Sequence, residues 1–172
     1  MASFRPGELV RYGQAGVCEI REIVKMNSGA GSASYYALSP LFKQGSTVYV
    51  PRDNSDLTAR MCPLLTPAEI TDLLTRAEKA PCPWNRDFRK RSEESRRALL
   101  SSDRLDALVM IKSILAHKRE LTEIGKNVHT TDDYFLRDAE QLIYNEIAFV
   151  LKKPFKEVEE QVRAILNDES AD

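Results

Sequence analysis

Residues 61–74 read MCPLLTPAEITDLL, and the grammar of the chain changes inside them. Thr66 stands before Pro67 and three residues ahead of Glu69. That is a capping box with proline at the first helical position. Ile70, Leu73, Leu74 and Ala77 follow at helical spacing until Pro81 and Pro83 end the run. A helix therefore opens at Thr66, and nothing upstream of it has a helical period.

Upstream the signals are those of strands. ELVRY (8–12), VCEIREIV (17–24), SYYALS (34–39) and STVYV (46–50) alternate apolar positions and are rich in Val, Ile and Tyr. Pro6-Gly7, Tyr12-Gly13 with Gly16, the NSGAGS tract at 27–32 and Gln44-Gly45 punctuate them as turns. Short strands so divided predict a small antiparallel barrel or strongly curved sheet. Downstream, a second helix is expected to follow Trp84 as far as Leu100. Ser101-Ser102-Asp103 caps a third, with Leu105, Leu108, Val109, Ile111 and Leu115 on one stripe. Thr130 or Thr131 opens a fourth, and Pro154 starts a fifth carrying Val158, Val162 and Ile165. The expected fold class is α+β in two domains: a β module over 1–66 and an all-α bundle of about five helices over 67–172.

An apolar share of 42% with 30% charged residues places the 172-residue chain among folded proteins. Three cysteines, Cys18, Cys62 and Cys82, form no CxxC pair and read as structural thiols in a reducing compartment. No signal-like or membrane-length apolar run appears, so a soluble, cytoplasmic protein is expected.

The formal charge of −1 is unevenly spread. Residues 1–83 carry nine Lys/Arg and eight Asp/Glu, 84–126 eleven and seven, and 127–172 five and eleven. The helical half thus has a basic front and an acidic rear. The front begins at PCPWNRDFRKR (81–91), where the only tryptophan, Trp84, precedes Arg86, Arg89, Lys90 and Arg91. Two readings stand side by side. Trp84 can be a hydrophobic staple at a helix entry, with the arginines a solvated face. An apolar wedge among cations is also what minor-groove binders and fork-binding proteins use.

Enzyme chemistry has little support. His117 and His129 lack ligand-spaced partners, and there is no phosphate-binding glycine loop. Asp132-Asp133 is explained by a helix N-terminus, and His117 is assigned to a helix C-terminus. No metal, cofactor or small-molecule substrate is expected, and the protein is read as not an enzyme.

FRPGELVRYGQAGVCEIREI, then YYAL and VYVPRDN, then Trp84 with its arginines, then LLSSDRLDALVMIKSIL and LRDAEQLIYNEIAFVL occur in a characteristic order. In this the chain resembles the CarD family of bacterial transcription regulators, whose first domain also occurs in transcription-repair coupling factors. The resemblance implies a Tudor-like barrel that docks on the β-subunit lobe of RNA polymerase. It also implies a helical domain that presses a tryptophan into the minor groove at the upstream edge of the transcription bubble, stabilising the open complex without sequence specificity. Carried over by position, Trp84 takes the wedge role, with Arg86, Arg89, Lys90 and Arg91 as DNA contacts. Lys25, Tyr49 and Arg52 take the polymerase-facing role. Relatives carry arginine where this chain has Tyr49, and often a basic residue where it has Asp87. The expected location is the nucleoid, through RNA polymerase. The alternative is a protein-interaction adaptor of the transcription machinery without DNA contact.

Overall fold

The computed structural model describes residues 4–28, 31–43 and 45–167. They form two compact units that meet in the chain between Leu64 and Leu65.

The first unit is a five-stranded antiparallel sheet in the order β4-β3-β2-β1-β5. Its strands are β1 (Leu9–Tyr12), β2 (Gly16–Ser28), β3 (Gly31–Pro40), β4 (Val48–Pro51) and β5 (Met61–Pro63). A 3-10 turn, Gly13–Ala15, joins β1 to β2, and positive φ at Gly13 (44°) and Gly16 (72°) makes that reversal. The tip of the β2–β3 hairpin, at 29–30, and Gln44 of the expected Gln44-Gly45 turn lie outside the described residues. A register shift between Ile20 and Glu22 bends β2. Val10, Ile20, Tyr36, Leu38, Val50 and Met61 fill the core beneath it.

The expected barrel is not what the strands form. β4 and β5 remain as two edges, so the sheet is open. Two elements escaped the sequence pattern because they are too short to show a period. One is β5, three residues paired with β1. The other is α1 (Ser55–Thr58), a single turn whose Asn54 side chain accepts from the Leu57 amide.

The second unit holds α2 (Pro67–Lys79), α3 (Phe88–Leu100), α4 (Arg104–Glu123), α5 (Thr130–Leu151) and α6 (Phe155–Asn167). The capping box is present in full at the start of α2. The hydrogen bond from the Thr66 backbone amide holds the Glu69 carboxyl below the usual carboxylate range. Lys112 closes the other end of α2 by donating to the carbonyls of Ala77, Glu78 and Ala80. Left-handed Lys152 ends α5, and the Pro154 carbonyl accepts the first bond of α6. α3 starts at Phe88, four residues after Trp84, because Asp87 is its N-cap and accepts from the Arg89 and Lys90 amides. Leu99, Leu108, Ile111, Ile114, Ile143 and Ile147 are at the centre of the core.

Of the three free cysteines, Cys18 is buried and Cys62 and Cys82 are partly covered. Burial, partly offset by the Lys43 charge, pushes the Cys18 thiol up to about 12. Because the thiolate is the nucleophile, Cys18 should resist iodoacetamide at pH 8 in the native protein while Cys62 and Cys82 react. Peptide mapping of alkylated protein, with and without denaturant, checks this. Native labelling of Cys18 as fast as Cys82 would contradict it.

Candidate nucleic-acid interface

Trp84 lies in the extended segment between α2 and α3, half-buried against the helical core. The His117 ring of α4 stacks on the indole at 3.9 Å between centroids, with 20° between planes. The Arg91 guanidinium lies over the same indole, 4.4 Å from its centroid. The indole is thus held against α4 by His117 and against α3 by Arg91. His117 is therefore not the helix C-terminal residue expected. It sits within α4, with Nδ1 3.4 Å from Glu120 Oε2.

Arg91 is the keystone of this arrangement. Its Nε and Nη2 donate to the two carboxylate oxygens of Asp132, each at 2.9 Å, and Nη1 donates to the Asn85 carbonyl at 2.8 Å. Asp132, in the first turn of α5, is 1% exposed. A bidentate pair to a buried carboxylate uses the donors with which a free arginine would grip phosphate. Of the residues assigned to DNA, Arg91 has its guanidinium engaged by Asp132, by the Asn85 carbonyl and by the indole. Asp132 is this pair's acceptor as well as a helix N-terminal acid. Its neighbour Asp133 pairs with Lys118 and Arg137, and the Lys118 hydrogen bond holds its carboxyl below the usual range.

Arg86, Arg89 and Lys90 are exposed, and no acid pairs with them among the described residues. Asn85 fixes the turn that presents them, donating to Glu94 and accepting from the Asp87 amide. Phe88, which the sequence reading passed over, is exposed beside these cations, and its ring meets His129 at 4.6 Å. Its spacing of four from Trp84 was the available signal. An open groove of about 830 Å³ runs alongside, lined by Trp84, Leu100, Leu105, Val109 and Met110 among others.

In the sheet unit, Lys25 pairs with Ser34 across β2–β3, and the Arg52 amide donates to the Ser34 carbonyl. Lys25 and Arg52 thus share a row, and the Arg52 guanidinium lies 5.2 Å from the Tyr36 ring centroid. Tyr49, 49% exposed on edge strand β4, alternates to the other face. The three residues assigned to the polymerase do not converge on one face.

The family model for the CarD-like/TRCF RID domain matches residues 4–62, the whole of the sheet but its last residue. Over that span the sheet unit is similar to the CarD-like/TRCF RID domain. No curated protein matches the chain. The matched domain is an RNA polymerase-interacting one, and the match points to a transcription-related function. The helices that follow the RID domain lie outside that match. No helix among the described residues is long and apolar enough to cross a membrane. No group of three His, Cys, Asp or Glu among them could hold a metal ion.

Proposed function

We propose that this chain is a non-enzymatic transcription regulator that docks on the β-subunit lobe of RNA polymerase and stabilises the open promoter complex. Trp84 acts as a wedge at the upstream edge of the bubble. The observation that carries this reading is the clamped indole beside the unpaired cations Arg86, Arg89 and Lys90, in a chain whose other unit is similar to an RID domain. Rigid presentation matters because a wedge that must first be ordered loses affinity to that ordering. The basic front is modest, so DNA binding by the free protein is weak and falls with salt. A polymerase tether raises the local concentration and puts the weak contact at one place. Preference for unstacked over paired DNA is what shifts closed complexes to open ones.

The lifetime of heparin-challenged open complexes tests this. An aromatic contact with bases is worth about 1–3 kcal/mol, so Trp84→Ala should shorten the lifetime roughly tenfold to a hundredfold. Retention on core polymerase should be unchanged. Because the indole also packs on the core, circular dichroism must show the variant folded. A folded variant with an unaltered lifetime rejects the wedge.

The apolar groove beside Trp84 favours a second reading, in which the helical unit binds another protein. Leu100 in its lining is about half exposed. That adaptor would show no salt-dependent contact with fork DNA even on polymerase.

A further inference from the structure

We infer that Phe88, together with His129, forms a second base-contacting position next to Trp84, taking an unpaired nucleotide of the fork by flat stacking. This rests on the reading of Trp84 as a DNA contact and adds a second ring to it. The Trp84 ring already carries the stacked His117 ring and the Arg91 guanidinium. Stacking on an unpaired base needs exposed ring surface, and Phe88 is 42% exposed although His129 and the Arg91 guanidinium lie near its ring.

Its surroundings suit a nucleotide. Phe88 is the first residue of α3, flanked in sequence by Arg86, Arg89 and Lys90, all exposed and free of acidic partners among the described residues. His129 leans on the ring at 48° and is itself exposed. As N-cap of α5, its Nδ1 accepts from the Thr131 amide at 3.2 Å, so in the neutral ring the proton is on Nε2. That leaves one N–H donor beside the exposed aromatic face, the pairing of stacking and a single polar contact that holds a base. The Arg91 guanidinium lies 4.4 Å from the Trp84 centroid and 5.5 Å from that of Phe88. The arginine of one buried ion pair therefore lies against both rings.

The experiment uses the full chain bound to polymerase and a fork-junction DNA carrying 2-aminopurine at one unpaired position at a time. Stacking on a side chain changes the probe's fluorescence. The wild type should change it at two neighbouring positions. Phe88→Ala should abolish the change at one of them and weaken fork binding about tenfold, with the salt dependence of binding unaltered because no cation is removed. Phe88→Tyr, which keeps the ring, should restore both. If Phe88→Ala matches the wild type while Trp84→Ala loses its signal, this inference is overturned and the wedge stands. If the wild type changes no probe at any fork position while still held on polymerase, the wedge reading fails and this one with it.

Discussion

Glu146→Ala is expected to be the most destabilising single substitution in the helical unit. Glu146 is 1% exposed, and its carboxylate accepts from Arg104 Nη2 at 2.7 Å and Nε at 3.2 Å. It accepts a third bond from the Leu65 amide at 3.2 Å. One carboxylate thus ties the entry of the unit to α4 and α5. Its removal breaks a buried ion pair, a change that costs about 3–5 kcal/mol. In a domain of this size the melting temperature should fall by more than about 10 °C. Calorimetry of the full chain measures it. The double variant Arg104→Met/Glu146→Leu should recover much of the loss, because the pair's attraction is largely offset by its desolvation. A Glu146→Ala protein melting within a few degrees of wild type would show that the pair is solvated.

The second large effect is at Asp132. Asp132→Ala should cost about 3 kcal/mol, at the lower end for a broken buried pair because the Arg91 side chain is 13% exposed. The change should also loosen the indole. Trp84 is the only tryptophan, so intrinsic fluorescence reads that site alone. Asp132→Ala should shift its emission to the red and make it more accessible to acrylamide. Arg91→Lys separates positioning from phosphate contact. A lysine keeps the charge but cannot reproduce the two-pronged grip on Asp132 or lie flat on the indole. If Arg91 acts by positioning, Arg91→Lys should behave like Asp132→Ala in both fluorescence and open-complex lifetime. If it matches the wild type in both, a plain cation suffices and the keystone role is wrong.

Much of the fold was legible because its causes are local. The capping box at Thr66, the Asp103 cap and the start of α6 after Pro154 are set by residues within four positions of each other. The main strands, too, alternate over spans long enough to read. The open sheet was not legible, because whether the end strands pair depends on how far the sheet bends, not on alternation within any strand. The three-residue β5 and one-turn α1 carry too few residues for a period.

The site divides in the same way. Trp84 and the cations after it stand out along the chain, and the match at residues 4–62 comes from contiguous sequence. The sequence by itself determined the two structural grammars, the match to the RID domain and the aromatic-basic entry to α3. Only the tertiary structure decided what Arg91 does, because its partner Asp132 is 41 residues away on α5 and His117 reaches the same indole from α4. An arginine in a charged run looks the same whether it faces water or a buried carboxylate. The difference lies in desolvation, which exists only once the helices have packed.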